Sequence, residues 1–136
     1  MRGQIVVTDR APVSHYSDSE FSWKFEVAPA AVGFVAGNAL GPQYNGNMFV
    51  GGARPFIDDG HLFRFRLTGN RRKIAVDDPR LEDRVADNLF KFDTTESDTL
   101  LFGSGFGVVT DIRTGPNGNL YLVSLTNNAV YEIFRK

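Results

Sequence analysis

Short apolar runs bounded by Gly, Pro, Asn and Asp recur along this chain, and two of them carry a period of two. Phe21, Trp23, Phe25 and Val27 alternate with Ser22, Lys24 and Glu26, the spacing of a half-buried strand. In the run from His61 to Leu67, the residues Leu62, Arg64 and Arg66 share one face, and Phe63, Phe65 and Leu67 the other. Pro29 is expected to break pairing, so the next strand is placed at 31–35. Further strands are predicted at 4–8, 48–51, around 100–101, at 108–114, 120–124 and 129–134, with 71–76 as an outer strand. Residues 9–22, with Pro12 and Ser17-Asp18-Ser19, read as an irregular connection.

One segment carries a helical period. Asp78 suits an N-cap and Pro79 the first helical position. Leu81, Val85 and Leu89 recur at every fourth residue and Phe92 continues the stripe, while Asp87 and Lys91 stand one turn apart on the polar side. A short inserted helix packed on a sheet edge is the expectation.

The β pattern repeats. Asn45-Gly46-Asn47-Met48-Phe49-Val50 returns as Asn117-Gly118-Asn119-Leu120-Tyr121-Leu122-Val123, each after a Gly-Pro (Gly41-Pro42, Gly115-Pro116) and before another apolar run. Asn-Gly tolerates the positive φ of a tight turn, and Phe, Tyr and Val favour a pleated surface. Two units of one design point to a repeated sheet module that must stack on a neighbour to complete a core. The expected fold is all-β: two antiparallel blades of a β-propeller with one short inserted helix. Residues 1–20 form an N-terminal strand and connection, and 21–136 the two-blade segment, divided at about 21–102 and 103–136. The second blade lacks an outer strand of its own, and residues 4–8 are the candidate to supply it. Two blades do not close a ring, so a homo-oligomer, dimer or trimer, is expected to cover the remaining faces.

Composition narrows the function classes. The 136 residues hold 42% hydrophobic and 23% charged residues, a globular balance. A net charge of −1 gives no overall field for nucleic acid or anionic membrane. There is no cysteine, which excludes disulfides and thiolate metal sites. No apolar run approaches the ~20 residues of a membrane span, and Met1-Arg2-Gly3-Gln4 leads straight into Ile5-Val6-Val7 without the apolar segment of a secretory leader.

Chemistry-bearing residues are sparse. His15 and His61 stand apart with no second ligand at helical spacing, so surface or hydrogen-bonded roles are expected. Asp58-Asp59 lacks the spacing of a calcium loop and reads as a turn; Asp77-Asp78 is explained by the helix start. Gly103-Ser104-Gly105-Phe106-Gly107 lacks the Lys-Ser/Thr of a phosphate loop and precedes a strand, so it is read as a close backbone approach. Arg71-Arg72-Lys73 suits a solvated outer strand.

Val27-Ala28-Pro29 leading to Gly33-Phe34, Met48-Phe49-Val50-Gly51 with Leu62-Phe63-Arg64-Phe65, and Thr110-Asp111-Ile112-Arg113 before Gly115-Pro116-Asn117-Gly118-Asn119-Leu120-Tyr121 resemble the final blades of the glucose/sorbosone dehydrogenase family. The resemblance spans about residue 21 to the C-terminus. It implies a six-bladed propeller that oxidises a sugar hydroxyl with pyrroloquinoline quinone (PQQ), commonly with calcium, in a periplasmic or extracellular setting. It implies Arg54 as a cation near the quinone; otherwise Arg54 is an exposed loop arginine. Where quinone-binding members carry Arg-x-Arg-Asp, this chain has Val108-Val109-Thr110-Asp111. The catalytic histidine and most cofactor ligands belong to earlier blades, so no catalytic or metal-ligating residue is assigned. The expected function is therefore a sugar dehydrogenase-like segment, incomplete for catalysis by itself, with a possible sugar ligand. The alternative is a non-catalytic binding or assembly module that self-associates.

Overall fold

A computed structural model describes residues 18–53 and 60–136. Among them the strands are, in chain order, β1 (Ser22–Trp23), β2 (Pro29–Phe34), β3 (Met48–Gly52), β4 (His61–Leu67), β5 (Ile74–Ala75), β6 (Val85–Ala86), β7 (Leu101–Gly103), β8 (Val109–Thr114), β9 (Leu120–Ser124) and β10 (Ala129–Ile133). Among the described residues, helical structure is confined to three single 3-10 turns, at Pro42–Tyr44, Pro79–Leu81 and Asp98–Leu100. The all-β expectation holds.

Two antiparallel sheets carry the fold. The first runs β2-β3-β4, and its outer edge is divided between β5, beside the end of β4, and β7, beside its beginning. The second runs β8-β9-β10. Both Asn-Gly cassettes sit at the turn before the middle strand of their sheet, with Gly46 at φ 77° and Gly118 at φ 82°. Pro29 opens β2 beside a bulge and does not prevent pairing, since a first strand residue need not donate to the ladder.

The sheets stack face to face, β8 lying over β2 and β3. Between them Val35, Phe49, Leu62, Val109, Ile112, Leu120 and Leu122 form one buried core. Gly33 and Gly51 make the approach close: a Cβ on Gly33 would stand 2.4 Å from the Ile112 carbonyl oxygen, and one on Gly51 2.7 Å from Val109 Cβ. On the far face of the first sheet Phe63, Phe65 and Ile74 form a second core, covered by Phe21 and Trp23. Rings meet there edge to face, Phe21 with Trp23 at 4.9 Å and with Phe65 at 5.0 Å.

The two cassettes use their positions alike. Phe49 points from the first sheet toward the second; its counterpart Tyr121 points out of the second sheet, cross-strand from Arg113 and Glu132. Met48 faces back into the second core, and its counterpart Leu120 faces back onto the first sheet. The repeat is thus a translation from sheet to sheet, each front face meeting the next back face.

The expected helix over 78–92 does not form. Its start is as predicted: Asp78 accepts the Arg80 backbone N–H at 3.0 Å and Pro79 follows it. After one turn the chain takes a left-handed residue at Arg84 (φ 61°) and again at Phe92 (φ 64°). Val85–Ala86 pairs in parallel with Ser22–Trp23 instead. Buried Asn88 then fixes the path, accepting the Phe25 N–H at 2.7 Å and donating to the carbonyls of Phe25 (2.9 Å), Asp93 (3.1 Å) and Phe90 (3.3 Å). Leu89 is left 73% exposed, so the stripe is not a packing face. Asp87 and Lys91 pair with Lys24 (3.8 Å) and Glu26 (3.2 Å) across the two segments, not with each other. The predicted outer strand 71–76 shrinks to Ile74–Ala75, because Arg71 at φ 57° turns the preceding residues. The candidate strand at 4–8 lies outside the described residues.

Candidate functional site

Beside the outer half of β4 lies a groove of about 760 Å³, walled by Gln43, Arg64 and Arg66 on one side and by residues 75–81 and 99–102 on the other. Leu62 on the same face of β4 is covered by the second sheet, whereas Arg64 and Arg66 continue beyond that cover. The strand period therefore carries two guanidinium groups from the core out to this groove.

The far wall is tied down by ion pairs. Arg66 bonds Asp77. Arg80 reaches Asp78 at 2.7 Å and Asp98 at 2.6 Å, and Thr99 donates its hydroxyl to Asp78 at 2.8 Å. The Arg80 and Thr99 hydrogen bonds hold the Asp78 carboxyl well below the usual carboxylate range, and the same two carboxylates raise Arg80. These groups close a 3-10 turn onto the strand edge, and their charges are satisfied.

Arg64 is held differently. Its Nε donates to Asn47 Oδ1 at 2.7 Å and its Nη2 to the Gln43 carbonyl at 3.0 Å. Its guanidinium lies over the Tyr44 ring, 4.3 Å from the centroid. Asn47 in turn donates to the Gln43 carbonyl at 3.2 Å, so the first cassette and its 3-10 turn build the seat. Among the described residues no carboxylate pairs with Arg64.

A second polar cluster lies on the open face of the second sheet. Glu132 Oε1 accepts from Asn119 Nδ2 (2.7 Å), the Tyr121 hydroxyl (2.9 Å) and Asn117 Nδ2 (2.9 Å), which together lower its pKa. It ties the second cassette to the edge strand.

Arg54, His15 and Asp58-Asp59 lie outside the described residues. His61 is buried at the start of β4, its ring 6.0 Å from that of Phe63. Asp111 faces away from the groove on the second sheet, bound by Arg113 at 3.1 Å and by the Ile112 N–H at 3.0 Å. Within 103–107 the close contacts are to side chains: a Cβ on Gly107 would stand 2.2 Å from Thr126 Oγ1, and the close backbone approach belongs to Gly60, whose Cβ would stand 1.5 Å from the Gly107 carbonyl oxygen. Lys73 pairs with Glu20 at 2.8 Å, anchoring the basic run to the preceding segment. Sequence reasoning overlooked Arg64, although an arginine two residues from a core leucine on the same strand face requires partners.

Of the residues the resemblance points to, Arg54 lies outside the described residues and the stretch 108–111 lies within them. Val108, Val109 and Thr110 offer no cation to a quinone carboxylate, and Asp111 is already engaged. Among the described residues no three His, Asp or Glu side chains converge. No protein-family model, curated protein or solved structure matches the chain.

Proposed function

We propose that the chain is a non-catalytic sheet-stacking module of the propeller type, which assembles head to tail through the uncovered β2 side of the first sheet's back and the open front of the second sheet. The observation that supports this is apolar exposure at opposite ends of the stack. On the back of the first sheet Val32 is 55% and Phe34 54% exposed; on the front of the second, Val123 is 40% and Val130 66% exposed. Leu125 and Phe134 extend the second patch. These are the positions that, between the two sheets of one chain, make the interior contact. A front meeting a back is a heterologous contact, the kind that closes rings.

The magnitude sets the expected affinity. Burying the exposed halves of six such side chains contributes on the order of 5–10 kcal/mol at about 1.5–3 kcal/mol for each full burial. Association costs roughly 4–15 kcal/mol in lost freedom. The balance makes assembly weak and dependent on concentration. Sedimentation velocity from micromolar to millimolar chain is expected to show a dimer or trimer forming reversibly. Val32→Glu on one face and Val130→Glu on the other should each abolish it while leaving the fold intact. A wild-type chain that stays monomeric across this range refutes the reading. Dye-coupled sugar oxidation during a PQQ titration is expected to show no turnover; quinone-dependent turnover would restore the enzyme reading.

A further inference from the structure

We propose that Arg64 is the anchor of a carboxylate-binding site, and that its ligand is a small organic acid with an apolar body. Three observations carry this. First, two of the five guanidinium N–H donors are fixed by Asn47 and Gln43, which orients the group and leaves its remaining Nη donors open for a carboxylate's two oxygens. Second, the charge is not neutralised within the described residues, whereas Arg66 and Arg80, in the same groove, each have carboxylates. Stacking on Tyr44 stiffens the cation without cancelling it, so little side-chain entropy is lost when an anion arrives. Third, the groove that receives it has the volume of a small-molecule site, and Val76, Leu81, Leu101 and Phe102 give it an apolar lining. A bare inorganic anion leaves that lining wet; an acid carrying an alkyl or aryl body covers it.

The selectivity follows from the same geometry. The carboxylate must displace water from a single fixed fork, and the apolar body adds burial of a few methylene equivalents at about 0.8 kcal/mol each. Loss of either component is therefore expected to weaken binding by an order of magnitude or more. The site lies off the two open sheet faces, so it is independent of self-association.

The experiment is a titration of the ¹⁵N-labelled full chain with 4-phenylbutyrate, its neutral amide, acetate and inorganic phosphate. Phenylbutyrate is expected to shift the Arg64 Nε–H resonance and the amides of residues 43–47 and 99–102. The other three probes should bind at least tenfold more weakly. Arg64→Gln should weaken phenylbutyrate at least tenfold, Arg64→Lys by an intermediate factor, and Arg113→Gln, on the other sheet, not at all. Equal binding of the amide or of phosphate overturns the proposal, as does an absence of saturable shifts at these residues up to 50 mM phenylbutyrate. Because the shift map is read on the wild-type chain, a folding defect in Arg64→Gln leaves the test intact.

Discussion

Replacing Gly33 with Ala tests the stacking of the two sheets directly. The Gly33 backbone is not left-handed, so any effect arises from space and not from backbone strain. The added Cβ would stand 2.4 Å from the Ile112 carbonyl oxygen, 2.6 Å from Ile112 Cγ2 and 2.7 Å from its Cβ. Ordinary contact begins near 3.4 Å, so β2 and β8 must separate locally by about 1 Å. The nearest obstacle is backbone held in a ladder, which does not swing aside as a flexible side chain does. Overpacking of this kind costs roughly 1–3 kcal/mol, toward the upper end here. Restricting the unfolded chain returns about 0.4–1 kcal/mol. The net expectation is a loss of about 1–2.5 kcal/mol, or a fall in Tm of roughly 3–12 °C for a domain of this size. Gly69→Ala is the matched control, because nothing lies within 4 Å of its added Cβ and its φ is also not left-handed. That variant should be stabilised by the unfolded-state term alone. Urea unfolding followed by Trp23 fluorescence measures both. If Gly33→Ala is as stable as Gly69→Ala, the sheets do not meet at this contact and the shared core described above is wrong.

Asn88→Ala should lower stability by about 1–3 kcal/mol, since it strands the Phe25 N–H and takes a donor from the Phe25 and Asp93 carbonyls at a site only 1% exposed; chemical denaturation reads the loss. Asp93 carries a pH prediction. The Thr95 hydroxyl, then the Leu89 and Thr95 N–H groups, lower its folded pKa. Its stabilising contribution is therefore complete above the unfolded value, about 3.9, and fades as pH falls through the depressed folded value. Urea midpoints should show Asp93→Asn less stable than wild type at pH 7, with the gap narrowing below about pH 4; a gap that does not change with pH rejects this account.

Local pattern and local chemistry determined much of the architecture. The short apolar runs and their flanking turn residues placed β3, β4, β9 and β10 within a residue or so of their observed ends, whereas the period-two run 21–27 pairs only over Ser22–Trp23. The faces of β4 came out as read: Phe63 and Phe65 in one core, Leu62 in the other. The Asn-Gly turns and the Asp78 cap were equally local, each depending on one or two residues and their own backbone. The largest failure was the segment from 78 to 92. Its helical stripe was real in the sequence, but the competing partner lay about sixty residues away, where Phe25 offers its backbone to Asn88 and Ser22–Trp23 offers a strand edge.

Arg64 shows the same division from the side of the site. Strand period alone put it on the face of Leu62, yet nothing in the neighbouring residues says whether that face ends in core, in solvent or in a groove. The second sheet covers Leu62 and leaves Arg64 uncovered, and a turn 20 residues earlier supplies Gln43, Tyr44 and Asn47 to hold it. Burial and charge pairing are properties of the stacked pair of sheets, set by contacts distant in the chain. The sequence determined which residues form most of the strands and turns; only the packing of one sheet on the other decided that Arg64 faces the groove with no carboxylate partner among the described residues.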